Sequence, residues 1–314
     1  MMTAEKVGVN PKDKKKNAPK RHETAFIVKM LFFPFVQWLV FWLYVNLSSI
    51  SLAFKDLRTG AFTFDNFVTF WESLTAPYGD INIALKNTLI YFSTTMFVIS
   101  PISLLIAYFL YKQIAFYKGF RVIFYLPAIV SSVAMVAVYC AFIDPKGPLD
   151  KFISLFGGAL PGEGLLARPN TATATIVVYT IWTGFCSNVL LFSGAMTRIP
   201  VELLESARLE GCGALREFFQ LIFPLIWPTT STLIIVTCTG VFNSSGPILL
   251  FTNGAFETTT LAFWIFKQVY GNGAIGGTGS YNLVSCAGLV FTLIGMPIVL
   301  FLRWLMDKVP TVEY

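Results

Sequence analysis

Seven charged side chains, Arg198, Glu202, Glu205, Arg208, Glu210, Arg216 and Glu217, fall within twenty residues of a chain in which charge is otherwise scarce. All but Arg198 lie in the stretch Ile199–Pro228, IPVELLESARLEGCGALREFFQLIFPLIWP. On either side are uncharged runs long enough to cross a bilayer. The local signals read as two short helices joined by a glycine turn. Pro200 suits a first helical turn, where its missing N–H is not needed. Glu202 and Glu205 follow at the positive end of the helix dipole. Gly211 and Gly213 supply the stop and the turn. Leu215, Phe218, Phe219 and Ile222 then recur at i, i+3, i+4 and i+7, the signature of an amphipathic helix. Pro224 and Pro228 mark its entry into the next span. A charged helix–turn–helix set between two spans is a surface offered to a partner.

Other chemistry is sparse. The five cysteines are scattered, the one histidine, His22, lies in a polar tail, and no CxxC pair or Cys/His cluster exists. That pattern leaves no metal site and no disulfide framework. A GxxxxGK[ST] phosphate loop is absent, so ATP hydrolysis is not expected on this chain. The apolar spans carry no Asp, Glu, Lys, Arg or His, whereas ion-driven carriers use ionisable groups inside the membrane. What the spans do carry are hydroxyls, amides and glycines: Ser131, Ser132, Gly184, Ser187, Asn188, Thr237, Asn243 and Ser244. Such groups both donate and accept, which suits a neutral polyol on a substrate pathway. The competing reading is helix–helix packing, for which membrane proteins use the same residue types. Trp182, Trp264 and Trp304 are assigned to the interfacial belt. Uphill transport by such a chain draws its energy through a partner, and the charged segment is the contact. The residues thus reach a transport subunit driven by a separate ATPase.

The elements that must position these groups are helices in a membrane. Of 314 residues, 55% are hydrophobic and 13% charged, against about 25% charged in an average soluble domain. Mean hydropathy is +0.66. Residues 1–29 are lysine-rich and polar, a composition expected to be disordered. Residues 30–314 read as one six-span domain, with the charged loop at about 198–224. The spans are expected between Lys29 and Lys55, between Lys86 and Lys112, and over about 122–143, 171–197, 224–243 and 282–302. The first is retained rather than a cleaved leader, being longer and more aromatic than a signal core. Turns are expected at 58–60 and 76–79, a short helix near 149–156, and a flexible loop at 271–280. With six spans both termini share a side. Sixteen of the 23 Lys and Arg residues then fall on it, leaving seven opposite, which makes that side cytoplasmic. The basic excess of +6 follows from this bias, so nucleic acid is not an expected partner.

The charged segment also carries a family resemblance. Glu205, Ser206 and Ala207 are followed by three residues and Gly211, and nine more lead to Leu221, Ile222, Phe223 and Pro224. This resembles the cytoplasmic loop of permease subunits of binding-protein-dependent ABC importers: Glu-Ala-Ala, three residues, Gly, nine residues, Ile, one residue, Leu-Pro. Ser206, Leu221 and Phe223 are the departures. Further stretches resemble the same permeases: Ala84–Thr88; Phe124–Pro127 with Ser131 and Ser132; Ile181–Gly184 with Arg198–Pro200. Leu250–Gly254 with Thr258–Thr260 resembles the carbohydrate branch and its maltose-type member, although Ala255-Phe256 departs from it. The resemblance implies an all-α type I importer permease in a bacterial or archaeal inner membrane. It implies a second homologous permease, two ATPase subunits holding ATP and Mg, and an external solute-binding protein. Lipid is the remaining partner, and no cofactor is expected on this chain. Glu205, Ser206, Ala207, Arg208, Gly211, Cys212 and Pro224 are carried over as the ATPase-coupling residues, and several of the eight small polar positions fall where the maltose-type permease contacts sugar. The alternatives are a permease for a polyamine or an anion, or an ion-coupled carrier.

Overall fold

Long uncharged runs leave the backbone one way to satisfy its hydrogen bonds in lipid, and the chain takes it. The computed structural model describes residues 21–56, 59–76, 79–271 and 281–309. Among them there is no strand, only an isolated antiparallel bridge between Lys55 and Phe62. The helices in order are α1 (Arg21–Ala53), α2 (Asp65–Thr75), α3 (Asp80–Tyr111), α4 (Tyr117–Ile129), α5 (Ser132–Ile143) and α6 (Pro148–Ser154). They continue with α7 (Pro169–Met196), α8 (Val201–Leu209), α9 (Ala214–Leu225), α10 (Trp227–Thr239), then, after a single helical turn at Ile248–Phe251, α11 (Leu261–Tyr270) and α12 (Tyr281–Asp307). Four helices are long and apolar enough to cross a membrane: α1 over Phe26–Ala53, α3, α7 and α12. Two more spans complete six if each of the bent pairs α4/α5 (108°) and α9/α10 (70°) counts as one.

Those bends correct two expected spans. The third was expected to run unbroken over 122–143. Pro127 has no N–H to bond the carbonyl of Ile123, the helix ends two residues later, and Val130 and Ser131 are extended before α5 begins. The fifth was expected over 224–243, yet α10 has only 13 residues, because the chain turns sharply at Ile226 before Pro228 enters the next helix. The second span begins at Asp80, six residues before the expected boundary at Lys86, with the Asp80 carboxylate in the first turn. Helix also starts at Arg21 inside the expected disordered tail, since no breaker separates that residue from the apolar run. The tail up to residue 20 and the loop at 272–280 lie outside the described residues. The short helix near 149–156 is α6, and Gly60 turns with φ +68°. The sequence signals missed α2 and α11.

Among the described residues, buried side chains gather in four clusters, two of which bear on the charged segment and on the connection after α1. One cluster joins α3 (Leu104, Ala107, Tyr108, Leu110) to α7 (Val189, Phe192, Met196) and to Leu204, Phe218 and Ile222 of the charged segment. At the other end Ala53, Phe70, Ile81, Leu261, Trp264, Cys286 and Phe291 tie α1, α2, α3, α11 and α12 together. Trp264 is therefore core, not belt, whereas Trp304 is exposed with the Lys308 ammonium 3.5 Å from its ring. A π turn at Thr95–Ile99 interrupts α3 just before Pro101, absorbing the missing N–H.

Candidate functional site

The charged segment leaves α7 through Pro200, which caps α8 in an extended conformation, one place ahead of the helical position expected. Leu204 is the only fully buried residue on α8, and with the half-buried Leu203 it roots the helix in the core. Glu202, Glu205, Ser206, Arg208 and Glu210 face outward, and Ala207 is half-buried. Among the described residues no ion pair engages Glu205 or Arg208. Gly211 closes the helix with φ +75°. Its N–H bonds the Arg208 carbonyl, and the N–H of Cys212 reaches back to Ala207, both at 3.0 Å. This is the paired Schellman arrangement, and it needs a left-handed residue at 211. Leu209 and Leu215, on either side of the turn, are both exposed. Charged groups and two bare leucines thus share one protruding hairpin.

α9 is held by contacts that the pattern of apolar residues did not reveal. Glu217 is 2% exposed, and both its oxygens lie 2.7 Å from Lys112 Nζ at the end of α3. One turn before Lys112, the Tyr108 hydroxyl donates to the Ala214 carbonyl at 2.9 Å, and its ring packs on Phe218 with centroids 4.9 Å apart. α3 therefore fixes which face of α9 turns inward. Of the expected stripe, Phe218 and Ile222 are buried, while Leu215 and Phe219 are 76% and 63% exposed. A π turn over Phe218–Ile222 further breaks the 3.6-residue spacing on which that stripe relied. Pro224 is half-buried where α9 approaches the bend. The one sequence signal for the clamp was a carboxylate directly before Phe218.

A second feature lies within the membrane-spanning part. A cavity of about 210 Å³ is lined by Thr88, Tyr91, Phe92 and Thr95 of α3, Thr180 of α7, and Thr237, Gly240 and Ser244 at the end of α10. None of these groups is charged. Thr88, Thr95 and Thr180 each donate to the carbonyl four residues back; the Thr88 oxygen also accepts from the N–H of Leu261, while those of Thr95 and Thr180 keep lone pairs to accept from a guest. The Tyr91 hydroxyl is buried without a partner. Of the eight expected pathway residues, Thr237 and Ser244 line this cavity. Asn243 lines a separate, more apolar cavity of about 400 Å³ with Phe242, Phe291 and Gly295. Ser131 and Ser132 sit at the exposed break between α4 and α5, Ser187 is exposed, and Asn188 is half-buried on α7. Gly184 gives room for Ile99 of α3: a Cβ there would stand 2.8 Å from the end of that side chain. Sequence reasoning missed Tyr91, Thr95 and Thr180, because a neutral residue on an apolar helix carries no signal of its own.

The family model described as binding-protein-dependent transport system inner membrane component matches residues 87–310. The chain is 26% identical over 212 residues to the arabinooligosaccharides transport system permease protein AraP of Bacillus subtilis, covering 67% of this chain and 66% of that one. It is 28% identical over 185 residues to the maltose/maltodextrin transport system permease protein MalF of Salmonella typhimurium, covering 56% of this chain and 36% of that one. It therefore spans less than two thirds of the length of either. Among solved structures it resembles a bacterial alginate ABC transporter in complex with an alginate pentasaccharide-bound periplasmic protein. There the TM-score is 0.77 at 21% identity, over 96% of this chain and 99% of that one.

Proposed function

The chain belongs to the family of binding-protein-dependent transport system inner membrane components, and from that premise we propose that it forms half of the pore of an ATP-driven importer for a sugar or oligosaccharide. In this reading a second homologous permease completes the pore. Two ATPase subunits dock on the cytoplasmic side, and an external solute-binding protein delivers the sugar. ATP and Mg belong to the ATPases, and this chain performs no hydrolysis. Both termini are cytoplasmic, in the inner membrane.

The observation that carries the proposal is the α8–α9 hairpin: charged and apolar groups exposed at its tip, and a base fixed to α3 and α7 by buried contacts. A partner closing on the tip pulls on a lever whose other end is part of the spans. Glu205 and Arg208 offer charge to the ATPase cleft, while Leu209 and Leu215 offer apolar area of the kind interfaces bury at their centre. Movement of the hairpin is passed to α3 through Lys112–Glu217 and Tyr108–Ala214. Because α3 also lines the threonine cavity, the same helix links docking to the solute path. The cavity's hydroxyls match a neutral polyol better than a polyamine or an anion, for which a counter-charge would be needed.

The test is Glu205→Ala in the reconstituted four-subunit complex, measuring ATPase association and labelled-oligosaccharide uptake. Uptake is expected to fall while membrane insertion stays normal. Unchanged uptake and unchanged association would make Glu205 an ordinary surface carboxylate complementing a helix dipole.

A further inference from the structure

The connection between α1 and α3 contains a helix whose surface divides three ways. At 3.6 residues per turn, Phe67, Phe70 and Leu74 of α2 share one face, and they pack into the cluster with Ala53, Ile81 and Phe291. The opposite half is exposed and is itself split. Asp65, Thr69 and Glu72 lie on one side. Phe64, Val68 and Trp71, at i, i+4 and i+7, lie on the other, and Trp71 is 64% exposed. A helix wholly in water has no use for the second, apolar outward sector.

We infer that this sector lies in the boundary between headgroups and acyl chains of the leaflet in which α1 ends. The depth is set by hydrogen bonds. Asn66 Nδ2 donates to the carbonyls of Ala53 and Lys55, each at 2.9 Å. These carbonyls belong to the last turn of α1 and the residues just past it, where a helix leaves its C=O groups unmatched. α2 is thereby pinned at the end of a span in which Ala53 alone is buried, so that the rest of its apolar stretch is open to lipid. The two surfaces are continuous. Phe54, the first residue after α1, places its ring 5.5 Å from Phe62 and 5.7 Å from Phe64. Tryptophan and phenylalanine on one side and a charged, polar face on the other is the division seen in helices that lie in the interface plane.

Photo-crosslinking decides the occupant. p-Benzoylphenylalanine is placed singly at positions 68, 71 and 69 of the full chain, and at 42 as a lipid-facing reference on α1. The variants are illuminated in isolated membranes and weighed by mass spectrometry. All four positions are exposed, so folding is preserved, which gel filtration verifies. The expected result is a one-phospholipid adduct at 68 and 71 in yield similar to that at 42, and none at 69. An adduct to protein at 68 or 71, whether a second copy of this chain or a binding protein, overturns the inference. So does equal lipid yield at 69 and 71, or none at 71 while 42 reacts.

Discussion

Helix α3 passes through two polar regions that treat their polar groups in opposite ways. At its end, Lys112 and Glu217 compensate each other, and the Tyr108 hydroxyl is taken up by the Ala214 carbonyl. At its middle, the Tyr91 hydroxyl has no partner, and the threonines around it bond backbone groups only: Thr88, Thr95 and Thr180 donate within their own helices, and Thr88 also accepts from the N–H of Leu261. A buried charge is tolerable only when paired, so the first region is rigid by necessity. An unfilled neutral cavity costs its lining little while water or a solute supplies the missing bonds. The contrast assigns force to one end of the helix and passage to its middle.

The sharpest way to break this contrast is at the clamp. Lys112→Met leaves the Glu217 carboxylate, 2% exposed, without its counter-charge. The expected loss is about 3 kcal/mol, read as a lower Tm of the detergent-solubilised protein. Adding Glu217→Leu removes the orphaned charge and restores most of that loss, the outcome expected when a buried pair is replaced by apolar groups. Transport, by contrast, stays impaired in the double variant if the pair carries movement from α9 to α3. If the single variant costs under about 1 kcal/mol, the pair behaves like an exposed one, and the claim of a rigid end fails.

A smaller effect distinguishes the two glycines of the hairpin. Neither would bring a Cβ within 4 Å of another atom. They differ in backbone alone: Gly211 has φ +75°, Gly213 has φ −70°. Gly211→Ala is expected to cost about 1–2 kcal/mol, the penalty of a left-handed L-residue. Gly213→Ala should stay within about 0.5 kcal/mol, because the gain from a less flexible unfolded chain offsets a poorer helix cap. Equal losses in Tm for both would show that steric contact or docking, rather than the turn, requires these residues.

Local chemistry was legible in the sequence and long-range pairing was not. The uncharged run of α7, the exposed carboxylates of α8 and the stop at Gly211 each follow from neighbours within a few positions, and each lies close to where the pattern placed it. Lys112 and Glu217 are 105 residues apart, and nothing in either's surroundings names the other. Counting Lys112 as one more basic loop residue was silent about its partner. The breaks at Val130 and Ile226 were hidden for another reason: hydropathy reports whether a stretch is apolar, not whether it is straight. α2 escaped because its apolar residues lie among acids and amides, so that its average polarity resembles that of a loop.

A side chain expected to matter little for stability tests the neutral end of the comparison. Tyr91→Phe removes a hydroxyl that has no protein partner and leaves the ring in place, so stability should change by less than about 1 kcal/mol. Uptake is a different matter. If the hydroxyl bonds a passing sugar, its loss forfeits one neutral hydrogen bond, about 1 kcal/mol, equivalent to about a five-fold fall in uptake at low substrate. Thr180→Val makes a second probe. Its hydroxyl already donates to Ile176, so the change removes an acceptor from the cavity together with one bond inside α7. The two variants should weaken uptake without altering ATPase association, whereas Glu205→Ala is expected to lower uptake through the docking surface itself. A rise in Tm for Tyr91→Phe with unchanged uptake would mean that the hydroxyl is an uncompensated buried group rather than a contact for solute. The division of α3 into a force-bearing end and a solute-bearing middle would then rest on its end alone.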